Sequence, residues 1–247
     1  MKKFYWFGGS WITGDELQHQ VPKGQESFHV FPKLISNHFE AECINLGANG
    51  SSISSLPLSF ASQLEQFDSD STVFFCLPPS HRVSLFDQQG HLRNILPSQA
   101  KEFHKIHDYA DQWYKYFDNM HQRVYNHDII INLLHFWCKS LDLKHYFFND
   151  LWSHKFSIID STHDSNWLVG KKNSIAEFIL PMVDKVTQDV IMEDGPTVSE
   201  SEWQTQQEYI KRYIKPCYCH PNLEGHKKIA QELAKCIEIS NKTDLAS

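Results

Sequence analysis

The sequence predicts an α/β fold, a three-layer, doubly wound and mostly parallel sheet of the flavodoxin-like kind. Three observations carry this. Short β-branched and aromatic runs alternate with stretches of helical period, the order produced when helices cross between parallel strands. The clearest strand, Thr72-Val73-Phe74-Phe75-Cys76-Leu77, is apolar without alternation, so it needs cover on both faces. Glycine-rich turns follow the first two strands, and in a parallel sheet such turns meet along one edge.

Taken in order, Lys3–Phe7 forms the first strand and runs into Gly8-Gly9-Ser10, with Gly14 just beyond. Its apolar run Phe4–Phe7 is far shorter than the roughly 7–15 residues of a signal-peptide core, so a strand is the better reading. A short helix is expected from about Phe31 to Asn37. Glu42–Leu46 is the second strand, closed by Gly47-Ala48-Asn49-Gly50, and a helix follows over Leu56–Phe67. After the third strand, stopped by Pro78-Pro79, residues 80–97 form an excursion with a small hairpin around Gln89-Gly90. From Ser98 to Leu141 apolar residues recur at three- and four-residue steps, with a break near Asn126–Asp128 that would divide two helices. His104, His107, His121 and His127 lie in this region and are expected to be solvated.

Lys144–Phe148 is a fourth strand, ending at Asn149-Asp150. Residues 151–215 are hard to read; a helix interrupted by Pro181 is expected within Ser174–Val186, and another over Thr205–Ile214. The last helix is defined by the stripe Ile229, Leu233, Cys236 and Ile237, with Asn222 as its cap. Beyond Ser240 a frayed tail is expected. The division is one domain over 1–240 and a flexible tail over 241–247.

At 247 residues the chain can build one sizeable core, and 41% hydrophobic with 21% charged residues is ordinary for a globular protein. A formal charge of −7 with no Lys/Arg cluster excludes a large nucleic-acid surface. No stretch approaches the ~20 apolar residues of a membrane span. The six cysteines sit in a chain too long to need disulfides and without an export signal, which points to a reducing, cytoplasmic compartment.

The chemistry-bearing stretches are three. Ser10 follows the first strand; Asn45–Ser52 follows the second and contains two glycines that let backbone N–H groups approach a ligand; His220-Pro221-Asn222-Leu223-Glu224-Gly225-His226 precedes the last helix. A hydroxyl, an imidazole and free backbone amides on one sheet edge are the parts required for acyl transfer. Cys217 and Cys219 beside His220 also raise a zinc reading, but their spacing is tight and no partner Cys-x-x-Cys exists, so no metal is expected. Gly8-Gly9 with Gly14 matches neither nucleotide-binding pattern. Trp11, beside Ser10, is a candidate contact for a sugar or acyl group.

These three stretches, in order, resemble the SGNH, or GDSL-type, hydrolases. Phe7-Gly8-Gly9-Ser10 with Gly14 is similar to the first family block F-G-D-S-x-x-x-G. Asn45-Leu46-Gly47-Ala48-Asn49-Gly50 is similar to N-x-G-x-x-G, and His220-Pro221-Asn222 with Gly225-His226 to H-P-N-x-x-G-H. The resemblance implies Ser10 as nucleophile, His220 as general base, and the backbone N–H groups of Ser10 and Gly50 as oxyanion donors. It implies an ester substrate, either a small molecule or a glycan carrying an O-acetyl group, and no cofactor.

Three positions depart from the pattern. Gly9 stands where the family has aspartate. Ser80 falls where the third block has an oxyanion-binding asparagine, so Ser80, Arg82 or a water would serve there. Cys217 occupies the place of the triad aspartate, three residues before His220, leaving either a carboxylate from elsewhere (Glu193 or Asp194) or a Ser10–His220 dyad. The same departures support an alternative expectation, a non-catalytic glycan- or protein-binding module on this fold.

Overall fold

A computed structural model describes residues 1–14, 17, 20–78, 83–86, 92–95, 120–150, 166–169, 174–179, 204, 208–209, 212–215 and 220–244. In chain order the elements are β1 (Lys3–Gly8), α1 (Ser10–Thr13), α2 (Glu26–His29), α3 (Phe31–His38), β2 (Glu42–Asn45), α4 (Leu56–Ala61), β3 (Ser71–Leu77), β4 (Val83–Phe86) and β5 (Leu92–Ile95). They continue with α5 (Met120–Ser140), β6 (Lys144–Asn149), β7 (Ile214–Lys215), β8 (His220–Pro221) and α6 (Leu223–Asp244).

The central sheet has the order β2-β1-β3-β6, and every neighbouring pair is parallel. The apolar strand runs explain why it is covered twice. Phe4, Trp6, Phe74, Cys76, Tyr146 and Phe148 pack on one face with buried residues of α1, α3 and α6. Tyr5, Phe7, Val73, Phe75, Leu77 and Phe147 pack on the other with α4 and α5. This is the doubly wound α/β architecture that the strand runs and element order predict.

Register turns the aromatic strands into two cross-strand ladders. On one face Trp6, Phe74 and Tyr146 are partners in the register. Trp6 stacks on Phe74 at 4.1 Å between ring centroids and Phe74 on Tyr146 at 5.5 Å. On the other face Phe7, Phe75 and Phe147 repeat the arrangement at 5.5 and 5.1 Å. Each ring withdrawn from water is worth roughly 1.5–3 kcal/mol, so the ladders hold β1, β3 and β6 in one register. That register fixes where β1 ends, and therefore where Ser10 begins.

Several expectations hold and others need correction. The excursion after β3 does contain an antiparallel hairpin, with Phe86 opposite Leu92. The expected break near Asn126–Asp128 is absent: α5 passes through it without interruption. His127, Ile131, Leu134 and Cys138 follow one another at helical steps and are all buried, so His127 is not solvated. Polar residues there continue the buried face instead of ending the helix. The helix expected over Leu56–Phe67 stops at Ala61, and a separate 3₁₀ turn covers Leu64–Gln66. The end of the chain is less frayed than expected, since α6 continues to Asp244 and the Tyr146 hydroxyl donates to Asn241 Oδ1 at 3.3 Å. Within Ser174–Val186 the described part is a 3₁₀ turn over Ile175–Phe178. The helical stretch expected before residue 120 lies outside the described residues. Among the described residues no helix is long and apolar enough to cross a membrane.

Candidate active site

In the sheet order β2-β1-β3-β6, the chain passes from β1 out to β2 and then crosses to β3 on the other side, so the carboxyl end of β1 lies at the topological switch point. Gly9 continues extended beyond β1, and Ser10 opens the short helix α1. The first N–H groups of a helix have no intrahelical partner, which leaves the amide at Ser10 without a helical acceptor.

The loop after β2 is bound to this turn at several points. Asn45 Nδ2 donates to the Ile12 carbonyl at 2.5 Å, while its Oδ1 accepts from the Gly47 N–H at 3.1 Å. The Ala48 N–H donates to the Gly8 carbonyl at 3.0 Å, extending the strand pairing beyond β2. Thr13 Oγ1 lies 2.5 Å from Asn49 Oδ1 and 3.0 Å from the Ser10 carbonyl. Gly47 is required by close approach, because a Cβ there would come within 2.3 Å of Ile12 Cγ1. Gly50 is required by conformation. It has φ +69° in a turn closed by the Ser51 N–H on the Ala48 carbonyl at 3.0 Å, the third position of a type II turn.

The third stretch arrives from the far end of the chain. β8 pairs antiparallel with β7, setting His220 opposite Lys215. Asn222 then ends the ribbon and caps α6, its Oδ1 accepting from the Gly225 N–H at 2.9 Å. Its N–H donates to the Tyr213 carbonyl at 2.8 Å and its Nδ2 to the Arg212 carbonyl at 2.9 Å. These bonds hold the ribbon against the start of α6. The outcome is a contact across 210 residues of sequence: Ser10 Oγ and His220 Nε2 are 2.6 Å apart, both partly buried.

His226 lies one turn into α6 and is 1% exposed. Its Nδ1 accepts the Phe31 N–H at 3.3 Å, and its ring stacks on Phe31 at 5.8 Å. Burial, reinforced by nearby His220, pushes its pKa down to about 3, so the ring is neutral. Its role at the start of the last helix is therefore packing and hydrogen bonding.

The structure therefore brings Ser10 and His220 into hydrogen-bond contact and sets Gly50 in a left-handed turn on the adjoining loop. Ser80, with His81 and Arg82, lies outside the described residues, as do Cys217, Cys219, Glu193 and Asp194. Among the described residues no group of three or more His, Cys, Asp or Glu could hold a metal ion. Trp11 is corrected: at 3% exposure it packs in the core. At Gly9, a Cβ would meet only Pro78 Cβ at 3.6 Å, an ordinary contact, so packing does not demand this departure from the family pattern. Sequence reasoning missed the tie between Asn45 and Ile12, although an asparagine ending a strand before glycine is a recognisable turn signal.

No protein-family model matches the sequence, and no curated protein matches it. Similar solved structures include a chain from Desulfitobacterium hafniense DCB-2 assigned to the lipolytic G-D-S-L family. It is 12% identical, with 96% of this chain and 99% of that one covered and a TM-score of 0.45. A member of the lipolytic protein G-D-S-L family from Veillonella parvula DSM 2008 is also 12% identical, covering 95% and 97%, with a TM-score of 0.43. Likeness this distant carries no information about the reaction.

Proposed function

We propose that the chain is a serine acyl hydrolase of the SGNH type, with Ser10 as nucleophile and His220 as general base. The observation that carries this reading is the 2.6 Å hydrogen bond between Ser10 Oγ and His220 Nε2. A serine hydroxyl is a weak nucleophile by itself, and a base within about 2.6–3.2 Å is what activates it. For the serine to donate, His220 carries its proton on Nδ1 and offers the Nε2 lone pair.

In this reading Ser10 Oγ attacks an ester carbonyl as its proton passes to His220 Nε2. The developing oxyanion receives the backbone N–H groups of Ser10 and Gly50, and by sequence position the Ser80 hydroxyl. A donor of this kind is worth roughly 2.7–4 kcal/mol of barrier. The imidazolium then gives its proton to the departing alcohol oxygen, leaving Ser10 acylated. Water, deprotonated by His220, attacks the acyl carbon; the proton returns to Ser10 Oγ and the carboxylic acid leaves. No step requires a metal or organic cofactor. The proposed substrate class is a small-molecule or glycan ester, with an O-acetyl group on a sugar as the specific candidate.

The test combines a fluorophosphonate probe with short p-nitrophenyl esters. Labelling at Ser10, ester hydrolysis, and loss of both in Ser10→Ala are expected. A folded wild-type protein that neither hydrolyses these esters nor takes up the probe at Ser10 would overturn the reading.

A further inference from the structure

We infer that the β4–β5 hairpin is a clamp on the loop bearing Gly50, with Ser52 and Ser84 as positioning residues for the Gly50 amide. The catalytic consequence rests on the acyl-hydrolase reading; the clamp itself stands on geometry alone.

Gly50 cannot hold its own place. Its φ of +69° is a turn conformation, and a Cβ built on it would meet nothing within 4 Å, so the residue sits beside open space. Its amide is therefore located by what flanks it. Upstream, the Ala48 N–H is fixed to the Gly8 carbonyl at 3.0 Å. Downstream, the chain dives inward: Ser51 is 3% exposed and Ser52 is fully buried.

A buried hydroxyl is costly unless hydrogen-bonded, and these serines are bonded to one another. Ser52 Oγ lies 2.8 Å from Ser54 Oγ and also hydrogen-bonds Ser84 Oγ on β4. Ser51 Oγ lies 2.7 Å from Ser55 Oγ, which in turn is 2.7 Å from the Ser52 carbonyl oxygen. Four of these five serines belong to the loop and the turn after it. Ser84 alone comes from elsewhere, and it sits in a hairpin that leaves the carboxyl end of β3, the same sheet edge as Ser10. Through Ser84 the loop is fastened on its far side, two residues past Gly50. Gly50 is thus suspended between β1 and the hairpin, and loss of either anchor would let its N–H swing away from the oxyanion position.

Hydrogen exchange of the Gly50–Ser55 amides and the rate of fluorophosphonate labelling at Ser10 test this in the full chain. Ser84→Ala should speed exchange over Gly50–Ser55 roughly fivefold, as expected for losing one hydrogen bond. It should also slow labelling about tenfold, the scale of a sub-ångström misplacement of a catalytic group, with kcat falling and KM little changed. Ser84→Thr, which keeps the hydroxyl, should restore both. Ser52→Ala should give the same pair of effects if it folds, and Ser84→Ala keeps the test open if it does not. Unchanged exchange in Ser84→Ala overturns the clamp. Faster exchange with wild-type labelling overturns the positioning role. A wild type that is never labelled removes the acyl-hydrolase reading and the positioning role with it, and the exchange data alone then decide the clamp.

Discussion

His220 and His226 have the same side chain, six residues apart in one motif, and occupy opposite environments. His220 is partly buried on a two-residue strand, with a ring nitrogen 2.6 Å from a serine hydroxyl. His226 is inside the molecule on a helix, accepting a backbone N–H from Phe31 and held neutral by burial. The first imidazole faces a hydroxyl at the sheet edge. The second is a packing and hydrogen-bonding piece that burial keeps neutral. Residue type alone does not separate them; the position of the Asn222 cap does, because it ends the extended segment and starts the helix between them.

The largest effect expected from this contrast is on activity. Removing the proposed base as His220→Ala should slow ester hydrolysis and Ser10 labelling on the order of a thousandfold, while thermal unfolding stays near wild type. Parallel losses of activity and stability would mean that His220 is structural too, and the contrast would fail.

A second test uses pH. His226 has a folded-state pKa of about 3 against an ordinary value of 6.5. Between those two values the unfolded chain binds a proton that the native chain refuses, so the stability this residue contributes is complete above about pH 6.5. It falls as pH drops toward 3, by up to about 1.4 kcal/mol per pH unit. Urea midpoints at pH 7, 6, 5 and 4 should therefore fall more steeply in wild type than in His226→Gln, which lacks the titration. Parallel curves would show that His226 is not the buried neutral group described.

That His220 precedes the last helix and His226 lies at its start was legible in the sequence, and so was most of the described fold. The continuous apolar strands announced cover on both faces, and Trp6, Phe74 and Tyr146 bear this out by stacking in register. What the sequence hid has a common cause. Asn126-His127-Asp128 is polar enough to suggest a loop, but burial of His127 depends on tertiary neighbours that local pattern does not specify. Trp11 beside a candidate nucleophile suggested a ligand contact, whereas α1 turns it into the core. The Ser52–Ser84 bond joins a loop residue to one on β4 and has no local signature. Elements with a period were readable; apart from the Ser10–His220 pair, contacts made at a distance by single polar groups were not.

Replacing the buried imidazole should cost less than the full pH effect. His226→Leu keeps comparable bulk but leaves the Phe31 N–H without its acceptor, a loss of about 1–3 kcal/mol. His226→Gln restores a carbonyl acceptor and should recover part of it, as read from urea midpoints at pH 7. In both variants the folded protein should still label at Ser10 within severalfold of wild type. A loss of labelling as deep as in His220→Ala would place His226 in the chemistry and erase the distinction.

The smallest effect expected falls on the residue between the two. Asn222 Oδ1 caps α6 through the Gly225 N–H, and its Nδ2 reaches the Arg212 carbonyl behind β7. Asn222→Ala removes both side-chain bonds but keeps the backbone bond from its N–H to the Tyr213 carbonyl at 2.8 Å. A lost cap of this kind costs about 1 kcal/mol, which for a chain of this size lowers Tm by about 2–4 °C. Asn222→Asp keeps the acceptor toward Gly225 and loses only the donor toward Arg212, so it should recover most of that Tm. The informative quantity is the ratio between this stability loss and the labelling rate at Ser10. If the cap merely starts the helix, Asn222→Ala shifts Tm and leaves the rate of the folded protein unchanged. If it also fixes the end of β8, the rate falls several-fold in Asn222→Ala and recovers in Asn222→Asp. The environment of His220 is then set by the same side chain that begins the helix of His226.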